Sequence, residues 1–331
     1  MPPAQIPTAQ ALRGDLKTVL GDQIPWLNGL VGHKILKVQR CDDEFFEYHS
    51  VDPLQYIRTA QAKPGLNGAF NIGSITGVRQ TGNLNLYQFG AQAMWRDKVR
   101  RGTDRAEKSA AKRAYAGTIL QAEIDIKTAL YALLAASGTT GQTSGAALTN
   151  AAQDPIEFWK DGMIQVYKNS GMWPDLAVVP QEQFLETVNH PLVISRLNGG
   201  GSVESKDVII AKERFAKLIG VKNVEIAGAS YVAENATTAT PIWTATTAFL
   251  FVTGDEWHDD VPMVGATMRK PQDEIPGHDT SSAMPVDEGV LLTSYDVPNP
   301  PATVIVATVE EAPITHPLAA RAGYRIDYAS I

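Results

Sequence analysis

The side chains best suited to metal chemistry lie in the segment that follows residue 256. Its histidine and acidic residues come in two groups: His258, Asp259 and Asp260, then Asp273, Glu274, His278 and Asp279. Imidazole and carboxylate groups bind divalent cations, so a metal-dependent hydrolase is one function to consider. However, the spacing matches no established metal site, and charged loop residues are usually solvated. We therefore expect no metal and keep the hydrolase as a third hypothesis.

Two further features could serve catalysis in other settings. The three glycines at 199–201 precede a predicted helix, but they lack the preceding strand and the lysine of a phosphate-binding loop. Cys41 stands beside Asp42, Asp43 and Glu44, whose carboxylates disfavour the thiolate that a nucleophile needs. We therefore expect no catalytic residue, no cofactor and no enzyme activity.

A basic cluster departs from the acidic character of the chain, whose formal charge of -7 argues against a dedicated nucleic-acid binder. The cluster has eight cations: Arg96, Lys98, Arg100, Arg101, Arg105, Lys108, Lys112 and Arg113. Cations at a helix start oppose the helix dipole, so Arg100, Arg101 and Arg105 need another reason to be there. Acidic surfaces of neighbouring subunits or packaged DNA would each supply one. The alternative is a solvated helix start with an Asp104–Lys108 pair.

The basic cluster leads into the longest predicted element, a helix from Thr103 to Gly138. Small or apolar residues recur at every third or fourth position and line one face: Ala111, Tyr115, Ile119, Ala122, Ile126, Leu130 and Leu133. Thr103 or Asp104 can cap its start, and Gly138 can end it. At 1.5 Å per residue this helix is roughly 50 Å long, so we expect it to act as a strut across a whole domain.

The segments before the helix carry apolar residues but little core of their own. Residues 1–60 are predicted to form an extended arm whose aromatic part needs a surface elsewhere, such as another subunit. Between Gln61 and Trp95, glycines alternate with strand-forming residues, which predicts a long two-stranded hairpin; a monomer's surface loop is the alternative. Two strands cannot bury large side chains, so four residues are expected to contact an adjacent subunit: Leu84, Leu86, Tyr87 and Phe89.

The rest of the chain is predicted to contain shorter helices followed by many strands. The helices are 155–170, 181–189 and 206–219, and a strand at 176–179 separates the first two. Six strands follow, at 224–227, 249–253, 264–269, 290–295, 303–310 and 324–328. Because helices and strands do not alternate strictly, the fold class is α+β.

In order and in pattern, these pieces resemble the major capsid proteins of tailed bacteriophages with the Hong Kong 97-like fold. That family's extended loop and spine helix are similar to NLNLYQFGAQAMWRD and LQAEIDIKTALYALL, the second of which contains Glu123. Its entry to the axial domain is similar to PDLAVVPQEQFLETVNHPLV. Its short axial strands resemble AFLFVTGDE and MVGATMRK, and its closing peripheral strand resembles THPLAARAGYRIDYAS.

The resemblance implies a Hong Kong 97-like capsid fold with four parts. These are an N-terminal arm (1–60), an extended β-hairpin loop (61–102), a peripheral domain with the spine helix (103–173 and 288–331) and an axial α+β domain (174–287). No residue pair can be assigned to the covalent crosslink that some relatives make.

The resemblance also implies a function, which is self-assembly through hexamers and pentamers into the icosahedral head of a tailed double-stranded DNA phage. The expected location is the virion, after assembly in the cytoplasm of a host bacterium. Expected partners are the chain itself, scaffolding, portal and decoration proteins, and packaged DNA without sequence specificity. An encapsulin-like bacterial compartment is the alternative, because it uses the same fold. The sequence has no apolar run of about 18 residues, so no membrane association is expected.

Overall fold

Helices and strands are mixed along the chain in the way that the predicted α+β class requires. In the computed structural model of the chain, the described residues are 11–12, 27, 29–51, 77–136, 143–144, 148–150, 152–197, 208–233, 236–254, 263–271, 289–298, 301–315 and 319–330. The helices in these ranges are α1 (Gly32–Ile35), α2 (Trp95–Arg101), α3 (Thr103–Ala136), α4 (Pro155–Ser170), α5 (Gln181–Asn189), α6 (Pro191–Leu197) and α7 (Val208–Ile219). The strands are β1 (Ala11–Leu12), β2 (Val38–Arg40), β3 (Phe45–Val51), β4 (Gly77–Asn83), β5 (Asn85–Met94), β6 (Thr143–Ser144), β7 (Leu176–Pro180), β8 (Asn223–Ala227), β9 (Ser230–Tyr231), β10 (Thr240–Pro241), β11 (Thr247–Phe251), β12 (Gly265–Arg269), β13 (Leu291–Pro298), β14 (Pro301–Thr315) and β15 (Gly323–Tyr328).

The larger sheet is built around β14, which is long enough to pair with three other strands. Residues 302–311 of β14 pair with β5, and residues 301–308 pair with β13 on the opposite edge. Residues 311–315 pair with β12, and the order β1-β13-β14-β12-β2 is completed by β5 beside β14. A single strand therefore couples both ends of this sheet.

The smaller sheet has five strands in the order β6-β15-β11-β7-β8. Every residue of β7 and β11 is buried, which is the pattern of central strands that are covered on both faces. One face packs against α4, α5 and α7. These three helices contact one another through edge-to-face pairs of Trp159 and Phe184 with Phe215. The other face packs against the C-terminal half of α3.

Helix α3 joins the two sheets and confirms the strut predicted from its apolar spacing. It begins at Thr103, as predicted, and all seven residues predicted for its apolar face are buried. Its alanine-rich N-terminal half packs on the larger sheet, where the small side chains allow a close approach. Its C-terminal half packs beneath the smaller sheet through Ile126, Leu130 and Leu133.

Glu123 lies fully buried in the middle of α3, between these two cores. Its Oε1 accepts hydrogen bonds from the backbone N–H of Val31 and Gly32, each at 2.9 Å, and from Nε1 of Trp243 at 2.9 Å. Its Oε2 accepts a second bond from Gly32 at 2.8 Å. The N–H groups at the start of α1 have no partner within that helix, so the carboxyl group of Glu123 satisfies them.

A buried ionic cluster fixes the other side of α1. Nε2 of His33 lies 3.0 Å from Oε1 of Glu311, and Nε of Arg269 donates to Oε2 of Glu311 at 2.7 Å. Burial alone raises the pKa of the Glu311 carboxyl, but the charges and hydrogen bonds of His33 and Arg269 outweigh it and lower that pKa to about 2. The cluster joins α1 to β12 and β14.

The strand pairing corrects the hairpin predicted between Gln61 and Trp95. Strand β4 pairs with β3, whose residues were predicted to belong to the arm, in the register Phe45 opposite Asn83. Strand β5 is instead a full member of the larger sheet through β14. The two strands of the loop are therefore 45–51 and 77–83. Strand β5 does not pair with β4, because it buries its apolar side chains against α3 in the larger sheet instead.

Sheet membership also departs from the predicted division at two strands. Strand β15, predicted to close the peripheral domain, pairs with β11 in the smaller sheet beside β7 and β8. Strand β12, predicted to be axial, pairs with β14 in the larger sheet. Both strands are hydrophobic enough to suit either sheet, so their residues alone did not decide the partner. The four-part division itself stays a prediction.

Helices α4 and α5 have the bounds that the sequence predicted, and α7 ends at the predicted residue. Asp154 caps α4 by accepting a hydrogen bond from the N–H of Ile156, and Gly171 ends it with a positive φ of 77°. Helix α6 was not predicted; Pro191 occupies its first turn, where proline is tolerated. None of the helices in the described ranges is long and apolar enough to cross a membrane.

The contact between α1 and Glu123 predicts a steric effect at Gly32. A Cβ added there would lie 2.5 Å from Oε2 of Glu123, so Gly32→Ala should lower the free energy of unfolding by roughly 1–3 kcal/mol. Gly90→Ala is the matched control, since its Cβ would meet Val304 and Val306 at ordinary distances of 3.5 and 3.6 Å. Urea unfolding of both variants measures the difference, and equal stabilities would contradict the role of this contact.

The ionic cluster predicts a loss of stability in acid. An unfolded glutamate has a pKa of about 4.3, so the unfolded chain takes up this proton first as the pH falls. The contribution of Glu311 is present above about pH 5 and is lost as the pH falls to about 2, amounting to about 3 kcal/mol. Glu311→Gln should lower stability at neutral pH by roughly 3–5 kcal/mol, because it leaves Arg269 buried without a carboxylate.

In the Glu311→Gln variant the free energy of unfolding should depend less on pH between about pH 5 and about pH 2. Urea unfolding at a series of pH values checks it. Glu310→Gln is the control, since Glu310 is partly exposed and lies 3.6 Å from Nζ of Lys270. An unchanged slope in Glu311→Gln would show that other groups cause the acid sensitivity.

Candidate assembly surfaces

Helix α2 stands out because none of its residues is buried. Trp95 and Val99 are 61% and 64% exposed, and their spacing of four places them on the same face. Gly102, with a φ of 86°, ends α2 and separates it from α3. A short helix with two large apolar side chains in solvent is a candidate contact surface.

Lys98 holds α2 in place on the subunit. Its Nζ donates to Oε1 of Glu107 on α3 at 2.8 Å and to Oγ1 of Thr303 on β14 at 2.6 Å. Oγ1 of Thr303 in turn donates to a carboxylate oxygen of Asp296 on β13. Next to this network, Trp95, Pro298 and Pro301 line an open pocket of about 340 Å³. The network therefore fixes both the direction of α2 and one wall of the pocket.

The predicted basic cluster divides into paired and unpaired cations. Lys108 pairs with Asp104 at 2.9 Å, as the solvated-helix alternative predicted, and Lys98 is tied to Glu107. Arg113 is exposed and donates only to the backbone carbonyls of Ser109 and Gln92. Four further cations are exposed and make neither an ion pair nor a side-chain hydrogen bond among the residues that the structure describes: Arg96, Arg100, Arg101 and Arg105. These four arginines surround Trp95 and Val99 in the sequence, so the surface is both basic and apolar.

The four apolar residues predicted to contact a neighbour have different surroundings. Leu84 and Tyr87 are buried within the subunit, and the hydroxyl of Tyr87 donates to Oδ2 of Asp125 at 2.9 Å. The expectation that they need a neighbour for burial was wrong, because β5 lies on α3. Leu86 and Phe89 remain 61% and 48% exposed, although the Phe89 ring packs over Gly117. Only these two keep apolar surface available for another subunit.

The base of the β3–β4 loop carries a second exposed surface. Phe45 is 69% exposed, and the neighbouring Asp43 and Glu44 are exposed as well. Phe46, on the other face of the strand, packs over Gly82. The base of the loop therefore presents one aromatic side chain among carboxylates.

An exposed aromatic pair was missed by the sequence analysis. The rings of Tyr167 and Trp173 stack at a centroid distance of 4.8 Å, and both side chains are about half exposed. Trp243 is buried in the core, whereas Trp173 is 54% exposed. Trp173 follows Gly171, which ends α4, and its ring folds back on the exposed face of that helix.

The residues considered for metal chemistry lie outside the described part of the chain, as do the glycines at 199–201. Within the described ranges, histidine, cysteine and acidic residues form no group that could hold a metal ion. Burial raises the pKa of the Cys41 thiol, and the nearby carboxylates of Asp43 and Asp42 add to the rise. The direction agrees with the sequence argument, but burial contributes more than charge.

Several solved protein structures are similar to this architecture. No family model and no curated protein match the sequence. A phage-related protein from Bordetella bronchiseptica RB50 is 15% identical with a TM-score of 0.65, covering 96% of this chain and 97% of that one. A putative capsid protein of an E. coli CFT073 prophage is 9% identical with a TM-score of 0.51, covering 97% and 100%. An encapsulin from Synechococcus elongatus PCC 7942 is 11% identical with a TM-score of 0.51, covering 96% and 95%.

At these identities the similarity shows the fold alone. The chain has the α+β fold of phage capsid proteins, which encapsulin shares. The resemblance to the Hong Kong 97-like capsid proteins is therefore confirmed at the level of the fold.

Removing the contacts that Lys98 makes should loosen helix α2 locally. Lys98→Met keeps the aliphatic stem but removes the donor to Glu107 and Thr303, at a cost of about 1–3 kcal/mol. Amide hydrogen exchange in residues 95–101 should accelerate by about tenfold or more, while α3 keeps its protection. Arg101→Ala is the control, since replacing an exposed side chain that has no ion-pair partner within the described ranges should change little. Equal protection in both variants would mean that α2 is held by other contacts.

Proposed function

We propose that the chain is the major capsid protein of a tailed double-stranded DNA bacteriophage. It self-assembles through hexamers and pentamers into the icosahedral head. The observation that carries the proposal is the extent of the fold match, which covers 96% of this chain and 97% of the phage-related protein. A match over nearly the full length of both chains is expected when the function, here assembly, is carried out by the fold as a whole.

The exposed surfaces support self-association. Leu86, Phe89, Trp95 and Val99 leave apolar area in water that a second subunit would cover. Arg100, Arg101 and Arg105, which have no ion-pair partner in the described part of the chain, suit either acidic surfaces of neighbouring subunits or the phosphates of packaged DNA, which need no sequence specificity. In this proposal the protein resides in the virion after assembly in a bacterial cytoplasm, with scaffolding, portal and decoration proteins as further partners.

An encapsulin-like bacterial compartment is the second candidate. The observation that favours it is the similarity to the Synechococcus encapsulin, whose TM-score of 0.51 equals that of the prophage protein. The two candidates differ in cargo, because a phage head encloses DNA and a compartment encloses an enzyme. The neighbouring genes also separate them, since portal, terminase and protease genes accompany a capsid gene.

Neither candidate requires a catalytic group in the chain. We propose that no residue is catalytic, and that His258 and Asp259 can be replaced by alanine without changing particle yield or appearance. A hydrolytic activity that the purified chain possesses and this variant lacks would support the third hypothesis instead.

Particle formation is the direct test. We expect the purified protein to form closed shells of uniform size in electron micrographs, and to sediment far ahead of the subunit. Shells produced in the native genetic context should contain DNA that added nuclease cannot reach. A packaged enzyme would favour the compartment. A protein that stays monomeric at high concentration would contradict both.

A further inference from the structure

Two exposed surfaces of opposite charge lie at the two ends of the same strand. The acidic patch, defined here as Asp43, Glu44 and Phe45, adjoins the start of β5: Phe45 is paired with Asn83, and the N–H of Leu84 donates to the carbonyl of Glu44 at 3.0 Å. The basic patch begins directly after the last residue of β5. It consists of Trp95, Arg96, Val99, Arg100, Arg101 and Arg105.

The acidic patch keeps negative charge after the contacts within the chain are considered. Residues 41–47 contain four carboxylates and no cation. Two of them are partly neutralised, because Asp42 pairs with Arg40 at 2.9 Å and Glu47 pairs with Arg79. Asp43 and Glu44 are exposed and have no ion-pair partner among the described residues. Phe45 beside them is the most exposed large apolar residue in that part of the chain.

The basic patch is the chemical complement of the acidic patch. Residues 95–105 contain five cations and two carboxylates, and Lys98 is turned inward to Glu107 and Thr303. The arginines left outside surround Trp95 and Val99, and the pocket between Trp95, Pro298 and Pro301 is open to solvent. An aromatic side chain flanked by carboxylates would meet apolar contacts at its centre and arginines at its rim, which is the usual arrangement of a protein interface.

The two patches cannot meet within one copy of the chain. Strand β5 has ten residues, and at about 3.3 Å per residue it holds its ends about 30 Å apart. The strand pairs with β14 along its whole length, so it cannot bend enough to close that distance. Any contact between the patches must therefore join two copies.

We propose that the acidic patch of one copy binds the basic patch of a second copy, with Phe45 against Trp95 and Val99. Such a contact uses two different surfaces of the subunit, so it leaves one free patch of each kind on every pair. Heterologous contacts of this type form closed rings when the rotation between copies closes. The inference rests on the proposed shell function and names the surfaces through which neighbouring subunits meet. A protein partner suits the patch better than DNA does, because phosphates would leave Trp95 and Val99 in water.

Charge reversal on each side tests the pairing. One variant carries Arg100→Glu and Arg101→Glu, and the other carries Asp43→Lys and Glu44→Lys. Each places like charges in the contact, so each should lower the self-association constant by about tenfold or more and lose its particles. Circular dichroism and thermal unfolding establish that both variants fold. The control is Arg214→Glu with Lys217→Glu, which changes two exposed cations on α7 and should associate like the wild type.

Mixing the two reversed variants gives the sharpest result. Each variant opposes its own copies, but the acidic α2 of one complements the basic loop base of the other. We expect sedimentation velocity to show association in the mixture and not in either variant alone. Folded reversed variants that associate normally, or a mixture that stays dissociated, would overturn the proposal. Reversal of the arginines that leaves assembly intact but reduces enclosed DNA would assign the basic patch to nucleic acid and also overturn it.

The apolar centre is tested separately. Phe45→Ser should weaken association without changing the stability of the subunit, because the side chain is already exposed in it. Val232→Ser, at another exposed apolar residue, is the control. If the wild type associates through these patches but forms no closed shell, the proposed function fails while this contact stands. If it forms shells that are indifferent to both patches, the contact fails while the function stands.

Discussion

The rest of the subunit depends on the hydrogen bonds that the buried carboxyl group of Glu123 accepts. Its two oxygens accept four hydrogen bonds, and the donors are Val31, Gly32 and Trp243, each more than 90 residues away in the sequence. One side chain on α3 therefore fixes both the segment that leads into the larger sheet and the segment beside the smaller sheet. A carboxyl group with fewer partners could not remain in this apolar position, because burying it unpaired would cost several kcal/mol.

Segment 31–40 shows how this constraint extends to the sheets. Helix α1 has only four residues, too few to be stable alone, so its position comes from Glu123 on one side and the His33–Glu311 contact on the other. Strand β2 then continues directly into the larger sheet beside β12. Because β14 carries Glu311 and also pairs with β5, the same framework holds the strand whose two ends carry the exposed patches. The positions of those patches are thus set by buried polar contacts as much as by apolar packing.

The sequence predicted those elements whose signals are local. The start of α3, its apolar face and the bounds of α4 follow from residues a few positions apart, and each is confirmed. Strand partners were not predictable in the same way, because β4 and β15 each present a pattern that several sheets could accept. The structural role of Glu123 was hidden for a similar reason, since its partners lie about 90 and 120 residues away. The exposure of Trp173 was also not predictable, because it depends on the direction of the turn after α4.

The basic cluster illustrates where local reasoning reaches its limit. The sequence identified an excess of cations near α2 but could not tell which of them make contacts within the subunit. Lys98 holds the helix in place, whereas Arg100 and Arg101 remain unpaired in the described structure. That separation matters because a tethered lysine gives α2 a fixed direction, and a fixed direction lets the arginines recognise a partner at little further entropic cost. The ten-residue strand β5 then sets the distance between the basic and acidic patches. A subunit with two complementary patches held apart on a rigid strand can satisfy both only by adding further copies, and the rotation between copies decides whether they close into a ring.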